Sequence, residues 1–354
     1  MRRLARVLLS ALALLMPAMA AMAAAPGAPA CAAGQPVREE RYLTIGGIAQ
    51  WVVLKGDDCR NPVLLVVHGG PGNPLSPYLD GLYAGWEKHF TLATWDQRGA
   101  GRSFTRNPVA PDTTEQLLSV GLLAADGVDF AAWTAQRLGK RRVILFGGSW
   151  GSALAVHMAR LRPGLFGAYV GAGQMVSHAE GSMASYRKTL DLARAAGDAP
   201  TVAALAAIGA PPWTNPRAPG ILRRATRIYE GKLAEPAPPD YFTRAPRYAG
   251  AADLADYERG EDFSWLQFVG IRGQGMQATL DLYRAGPDFP IPVFLLQGEH
   301  DLVTVPEVAR RWFDGLKAPH KEFVLLPRTG HDQNPTMLRA QLALLREKAA
   351  PLVD

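Results

Sequence analysis

The feature that most constrains the fold is a short run in the middle of the chain. Four apolar residues, Val143 to Phe146, lead directly into a Gly-x-Ser-x-Gly pattern centred on Ser149, and the helix-compatible segment Ala153 to Arg160 follows. A serine at the apex of a tight strand-to-helix turn leaves no room for bulky neighbours, and glycine on either side meets that condition. The pattern therefore predicts that Ser149 presents its hydroxyl above a sheet edge, at the N-terminus of a helix.

Apolar runs of strand length recur on both sides of Ser149, with helical segments between several of them. The predicted strands are Arg41–Ile45, Ile48–Lys55, Pro62–Val67, Phe90–Trp95, Val143–Phe146, Leu165–Val170, Val293–Leu296 and Phe323–Leu326. The first two read as a hairpin around Gly46-Gly47, and helices are predicted at Leu117–Leu138 and Pro335–Leu352. This alternation predicts an α/β fold with a mostly parallel, doubly wound sheet.

The pattern changes over residues 173–287. Prolines cluster there, and helical periodicity continues without strands. We interpret this stretch as a helical lid inserted into the sheet domain. The predicted core then consists of residues 26–172 and 288–354.

The N-terminus differs in kind from the rest of the chain. Three arginines lie within the first six residues, Val7 to Leu15 is apolar, and small residues follow. This order predicts a secretory signal peptide over residues 1–25, and hence export to the periplasm or the medium. A transmembrane anchor is the alternative, because the Ala-rich stretch is long. After signal cleavage we expect no stable membrane association.

The net charge bears on the class of binding partner, and the cysteine count bears on disulfide formation. The formal charge is +6, and loss of Arg2, Arg3 and Arg6 with the signal would leave +3. A charge this small and scattered argues against nucleic acid as a partner. Only Cys31 and Cys59 are present. In an exported chain we expect them to form a disulfide, and two independent thiols are the alternative.

Three polar residues follow predicted strands in the chain order Ser149, Asp301, His331. An unassisted serine hydroxyl is a poor nucleophile, so it needs a base, and the pKa range of histidine suits His331 to that role. Asp301 would orient the imidazole and stabilise its charged form. Glu299 is the rival acid and His300 the rival base, but His331 follows the last strand.

A serine nucleophile also needs two backbone N–H groups aimed at the oxyanion that forms. The residue after the nucleophile, Trp150, would supply one. The other is expected from the glycine-rich loop His68–Gly72, which follows a predicted buried strand, and Gly70 is our choice. His68 is interpreted as shaping this loop.

Three motifs together resemble the prolyl aminopeptidase (proline iminopeptidase) family of α/β-hydrolases. They are His68-Gly69-Gly70-Pro71-Gly72, Asp96-Gln97-Arg98-Gly99-Ala100-Gly101-Arg102-Ser103 and Gly147-Gly148-Ser149-Trp150-Gly151-Ser152. The resemblance implies an α/β-hydrolase fold and release of N-terminal proline from peptides, without metal or other cofactor. It also implies oxyanion roles for Gly70 and Trp150, and a loop from Asp96 to Ser103 that shapes the floor of the site.

The lid departs from that family. Members carry a Trp-x-x-Trp-Glu segment whose glutamate receives the substrate ammonium, whereas this chain has Asp262–Phe268, which contains Trp265 but no matching glutamate. A buried ammonium needs an anion. Glu180, Glu258 and Glu261 are the candidate substitutes, and a solvated helix charge is the alternative for each. Trp265 is a candidate substrate contact.

Three functions remain open at this point. The first is an exported serine aminopeptidase acting on a small peptide. The second is an esterase, lactonase or other amidase acting on a neutral acyl substrate with the same three residues. The third is a non-catalytic binding protein on the same fold. A buried lid carboxylate facing Ser149 would favour the peptidase, and an all-apolar lid would favour the esterase.

Overall fold

The computed structural model describes residues 31–32, 34–110 and 113–353. The predicted signal peptide and its membrane-anchor alternative lie outside these ranges. Within them, no helix combines the length and the apolar character needed to cross a membrane.

Eight strands of the described chain form one sheet. They are β1 (Val37–Ile45), β2 (Ile48–Gly56), β3 (Val63–Val67), β4 (Thr91–Trp95), β5 (Val143–Gly148), β6 (Phe166–Ala172), β7 (Val293–Gly298) and β8 (Lys321–Leu326). Their spatial order is β1-β2-β4-β3-β5-β6-β7-β8. Only the pairings made by β2 are antiparallel. The predicted mostly parallel α/β sheet is confirmed.

Ten α-helices are formed by the described residues. They are α1 (Leu79–Leu82), α2 (Gly101–Arg106), α3 (Val120–Arg137), α4 (Trp150–Leu161), α5 (His178–Ala195), α6 (Ala199–Ile208), α7 (Ala218–Leu233), α8 (Ala251–Val269), α9 (Pro306–Gly315) and α10 (Pro335–Leu344). A π turn and a 3₁₀ turn continue α10 to Leu352, where a single helix was predicted.

Both faces of the central strands β3 to β7 are buried, as expected of parallel strands. Side chains of successive strand residues point to opposite faces, so Leu65 and Leu145 join one apolar cluster while Leu64 and Ile144 join the other. Burial of each such side chain stabilises the fold by about 1.5–3 kcal/mol. This packing holds the carboxyl ends of the central strands in register, because Phe146 of β5 pairs with both Val66 and Val170.

Helix α3 begins three residues later than predicted. The side chain of Ser119 caps it by accepting from the Leu122 N–H. The N–H groups of Leu117 and Leu118 instead donate to Oε1 of Gln267 on α8, at 2.6 and 2.9 Å. A tertiary contact with the lid region therefore takes these two residues out of the helix.

Helix α9, between β7 and β8, is not among the predicted elements. Pro306 occupies its first turn, a position that proline favours. Its buried residues Val308, Ala309, Trp312 and Phe313 have the spacing of one helical face. That periodicity is the sequence signal that could have located this helix.

Between β6 and β7 the chain forms α5 to α8, in the stretch predicted as a lid. These helices have an apolar cluster of their own that includes Tyr186, Leu205 and Leu222. Helix α8 also packs against the sheet domain, where the Ser264 hydroxyl donates to the Gly99 carbonyl at 2.8 Å. Helix α8 thus lies on the loop that follows β4.

Cys31 and Cys59 are joined in a disulfide with their Cα atoms 5.8 Å apart. The link connects the segment before β1 to the loop between β2 and β3. Cys59 is buried, and its N–H donates to the Gln35 carbonyl at 2.9 Å.

Candidate active site

Ser149 lies in the turn between β5 and α4, with φ 54° and ψ −125°. A non-glycine residue with positive φ is strained, and such strain is characteristic of functional turns. A Cβ on Gly147 would collide with the Gly151 carbonyl, and one on Gly151 would collide with the Val67 carbonyl. The two glycines of the motif are therefore required by close backbone contacts, as the sequence pattern suggested.

A hydrogen-bond chain links Ser149 to His331 and Asp301. The Ser149 Oγ lies 2.9 Å from Nε2 of His331, and Nδ1 of His331 lies 3.0 Å from Oδ2 of Asp301. The three residues follow β5, β8 and β7, and parallel strands present their carboxyl ends at one edge of the sheet. In this geometry the imidazole can take the hydroxyl proton from Ser149 and hold the resulting charge against Asp301.

The electrostatics of the pair favour the ionised forms. Burial works against the charge of Asp301, but His331 and the hydrogen bonds from His331 and Thr304 outweigh it and hold the pKa of the carboxyl below its usual value. Burial likewise opposes the imidazolium, but the charge and hydrogen bond of Asp301 raise the pKa of His331 above its usual value. Each partner therefore stabilises the charged state of the other.

Sequence reasoning missed the residues that hold Asp301. Its carboxylate accepts from the Thr304 hydroxyl at 2.6 Å, from the Thr304 N–H at 2.7 Å, from the Val303 N–H at 2.9 Å and from Nε2 of Gln297 at 3.0 Å. Gln297 is fully buried near the end of β7. A glutamine inside an otherwise apolar strand was the signal available in the sequence.

The rival acid and the rival base pair with each other. Oε1 of Glu299 lies 2.9 Å from Nε2 of His300 and accepts from the Arg328 N–H at 3.1 Å. Glu299 is about 36% exposed, whereas the Asp301 side chain is about 1% exposed. Asp301 is therefore the acid that faces His331.

The glycine-rich loop after β3 lies against Ser149. A Cβ on Gly69 would lie 3.4 Å from the Ser149 Cβ, and Gly70 has a φ of 106°. Within the described ranges the Gly70 N–H donates to no other group. The Trp150 N–H, in the first turn of α4, has no partner within the helix. Two backbone donors near Ser149 are thus available to an oxyanion that forms on a substrate carbonyl.

Gln97 connects the loops that form the floor of the site. Its N–H donates to Nε2 of the buried His68 at 3.0 Å, and its side-chain amide donates to the His68 carbonyl at 3.0 Å. Its Oε1 accepts from the Trp150 indole at 3.1 Å. Burial lowers the pKa of His68 to about 4, so this imidazole is neutral and accepts the hydrogen bond. Sequence reasoning gave no separate role to Gln97.

A cavity of about 830 Å³ opens above Ser149. The glycine-rich loop and His331 line one part of it, and the lid lines the rest with apolar side chains that include Met175, Trp265 and Phe268. This volume is in the range of pockets that hold small organic ligands. Trp265, which was predicted as a substrate contact, is one of the residues that line this cavity.

Only one of the three candidate lid glutamates lines this cavity. Glu261, on α8, does so, and it accepts a hydrogen bond from Nδ2 of Asn73 at 2.7 Å. Glu180 instead pairs with Arg311 of α9, and Glu258 is exposed outside the cavity. Glu180 and Glu258 were predicted as substrate-binding residues, and in this structure neither of them lines the cavity above Ser149.

Among residues 31–32, 34–110 and 113–353, one group of histidine, cysteine or acidic side chains is close enough to share a metal ion: Cys31, Asp58 and Cys59. Both sulfurs are already bonded to each other in the disulfide. A disulfide sulfur carries no thiolate charge, so this group does not suit a metal.

The chain is similar in sequence to a family of known fold and to proteins that carry a name. A family model described as alpha/beta hydrolase fold matches residues 62–336. A Bacillus subtilis protein named "Probable aminopeptidase YbaC" is 28% identical over 312 residues, which cover 85% of this chain and 94% of that protein.

Several of the other similar proteins carry the name proline iminopeptidase. A Streptomyces coelicolor protein named "Probable proline iminopeptidase" is 36% identical over 117 residues, covering 31% of this chain and 32% of that protein. The crystal structure of a Mycobacterium smegmatis proline iminopeptidase superposes with a TM-score of 0.60 at 21% identity, over 88% of this chain and 99% of that one. At this identity the structural likeness shows the fold.

Proposed function

The chain belongs to the α/β-hydrolase fold family, and from that premise we propose that it is an exported serine aminopeptidase releasing N-terminal proline or a similar residue. The chain of hydrogen bonds from Ser149 through His331 to Asp301 supports the serine mechanism. The names of similar proteins, aminopeptidase and proline iminopeptidase, support the substrate class.

In the proposed reaction the Ser149 Oγ attacks the carbonyl carbon of the first peptide bond while its proton passes to Nε2 of His331. The N–H groups of Gly70 and Trp150 hold the oxyanion. Cleavage of the C–N bond returns the proton to the departing amine and leaves an acyl-enzyme. Water then attacks the ester, again with His331 as base, and frees the amino acid and Ser149.

The observation that favours a peptidase is the carboxylate of Glu261 in the same cavity as Ser149. An exopeptidase that recognises a free N-terminus has to neutralise an ammonium removed from water. Glu261 also accepts from Asn73, and Asn73 lies three residues beyond Gly70, so this carboxylate is held beside the glycine-rich loop. An ammonium bound there would lie near the carbonyl that Ser149 attacks.

An esterase or an amidase of other scope is the second candidate. The apolar lining by Met175, Trp265 and Phe268 favours it, because these side chains suit a neutral acyl group. Such an enzyme would use the same nucleophile and leave Glu261 without an ammonium partner.

Export is part of the proposal. The basic and apolar N-terminal pattern supports it, and so does the Cys31–Cys59 disulfide, since disulfides persist in oxidising compartments.

A substrate panel tests the proposed function. Proline arylamide, other aminoacyl arylamides, N-acetyl-proline arylamide and short acyl esters are compared by kcat/KM for the wild type and Ser149→Ala. We expect free-amine arylamides to be preferred over the N-acetyl form, and the variant to lose turnover and labelling by an organophosphonate. Esters cleaved faster than every aminoacyl arylamide would overturn the peptidase assignment. Substantial turnover by Ser149→Ala would overturn the serine mechanism.

A further inference from the structure

Helix α7 brings three arginines to the wall of the cavity above Ser149: Arg223, Arg224 and Arg227. They occupy neighbouring positions on the surface of the helix, since residues i and i+4 share one face. Neither the hydrogen-bonded set Ser149, His331 and Asp301 nor the ammonium site proposed at Glu261 uses them. Their charge is opposite to the one that an N-terminal ammonium needs.

Arg223 is already neutralised by the protein. Its guanidinium lies 3.1 Å from Oε2 of Glu230 and 2.9 Å from Oδ1 of Asp332. With two carboxylates in contact, it is not the group expected to bind an anionic ligand.

Arg224 and Arg227 differ from Arg223 in this respect. Both are exposed to the cavity, and in the part of the chain that the structure describes neither makes an ion pair or a hydrogen bond with another residue. Asp262, the remaining acid on the cavity wall, shares a second groove with Arg224 but lies beyond ion-pair distance of it. Arg227 does not line that groove. Arg227 is therefore the arginine of this group for which protein carboxylates compete least with an anionic ligand.

The acids and cations of the cavity can be assigned to opposite ends of a peptide. If a substrate ammonium neutralises Glu261 and Arg223 neutralises Asp332, then two arginines face a single acid, Asp262. The unmatched positive charge is suited to a carboxylate, which a planar guanidinium binds through two parallel N–H donors. A short peptide with free termini carries both required charges.

We propose that Arg227, assisted by Arg224, binds the C-terminal carboxylate of the substrate, so that the enzyme selects di- and tripeptides with a free C-terminus. This inference rests on the proposed aminopeptidase function and adds the substrate class to it. A cavity of about 830 Å³ has room for a ligand of that size. The carboxylate lies on the leaving side of the scissile bond, whereas Glu261 contacts the side that becomes the acyl group.

The experiment compares a proline-initiated dipeptide having a free carboxylate with the same dipeptide as its C-terminal amide. The variants are Arg227→Gln, Arg224→Gln and the charge-conserving Arg227→Lys. Arg187→Gln is the matched control, because Arg187 is an exposed arginine of α5 that does not line the cavity. Thermal unfolding of each variant checks that the fold is retained.

We expect the wild type to prefer the free acid in kcat/KM by roughly tenfold or more, as is usual for a hydrogen-bonded charge pair. Arg227→Gln should bring the acid-to-amide ratio close to one, Arg224→Gln should lower it less, and Arg227→Lys should retain part of it. Arg187→Gln should keep the wild-type ratio. The preference should also weaken with added salt.

Two outcomes separate this inference from the proposed function. Equal rates on acid and amide, or a preference that survives both glutamine variants, would overturn the carboxylate site while the aminopeptidase stands. Cleavage of esters without hydrolysis of any aminoacyl substrate would overturn both.

Discussion

At the scale of single residues, the proposed function depends on two kinds of carboxylate. One kind is buried and hydrogen-bonded by the protein, and the other is free to bind a ligand. Asp301 is saturated by donors from Gln297, Val303, Thr304 and His331, which restricts it to holding the imidazole. Glu261 has a different environment, because one amide, from Asn73, contacts it and the cavity lies beside it. The Glu261 carboxylate is therefore able to bind a cation of a ligand in the cavity.

This contrast predicts the effect of neutralising Glu261. Glu261→Gln should lower kcat/KM for a free-amine arylamide, because a buried ammonium would lose its partner. The corresponding loss of transition-state stabilisation should be about 2–5 kcal/mol. The N-acetylated substrate carries no charge there and should lose little. Glu258→Gln, an exposed change on the same helix, is the control. A loss of equal size on both substrates would show that Glu261 does not bind the ammonium.

At the scale of elements, α7 ties the lid to the two loops that carry Asp301 and His331. Oε1 of Glu230 accepts from the Leu302 N–H at 2.7 Å, and Arg223 reaches Asp332 at 2.9 Å. Leu302 follows Asp301 in the chain, and Asp332 follows His331. Burial and then the charge of Asp301 raise the pKa of Glu230, so its ionised form depends on the charges of His331 and Arg223 and on the Leu302 amide.

The charges of α7 predict opposite shifts of the pH profile. Asp301 raises the pKa of His331, Glu230 raises it further, and Arg223 lowers it. In the proposed mechanism the base must be neutral, so kcat/KM should rise with pH as His331 loses its proton. Glu230→Gln should move this acid limb to lower pH, and Arg223→Gln should move it to higher pH.

The measurement is the pH dependence of kcat/KM on one substrate, with Glu258→Gln as a control that should leave the limb in place. A purely structural role for Glu230 and Arg223 would lower the rate without displacing the limb. Shifts in the same direction for both variants would contradict the electrostatic account.

At the scale of the whole molecule, the parallel sheet and one covalent link hold the distant parts together. Ser149 and His331 are 182 residues apart in the chain, yet they form a hydrogen bond because β5 and β8 end at the same edge of the sheet. The disulfide closes a separation of 28 residues at the start of the described chain. By loop-closure entropy, such a link contributes about 2–4 kcal/mol to stability.

The disulfide gives a prediction about the oxidation state of the two cysteines. Thiol titration of the unreduced, denatured protein should detect no free thiol, and reduction should lower the midpoint of thermal unfolding. Cys31→Ser with Cys59→Ser should show the lower midpoint without any reductant. Two titratable thiols in the untreated protein would refute the pairing.

The sequence by itself determined the features that rest on local geometry. The tight strand-to-helix turn around Ser149 requires glycine at two positions whatever surrounds it, and buried parallel strands require apolar runs. The order of Ser149, Asp301 and His331 after such runs was therefore readable without coordinates. The fold class followed from the same alternation of strands and helices.

Only the tertiary structure decided which charges of the lid face the cavity. Glu180, Glu258 and Glu261 have the same chemistry and similar helical surroundings in the sequence, and only Glu261 lines the cavity, because of how α5 and α8 pack. The late start of α3, set by contacts with Gln267, and the support of Asp301 by Gln297 have the same origin. In each case the deciding partner is far away in the chain, and local propensity carries no information about contacts that form only when the elements assemble.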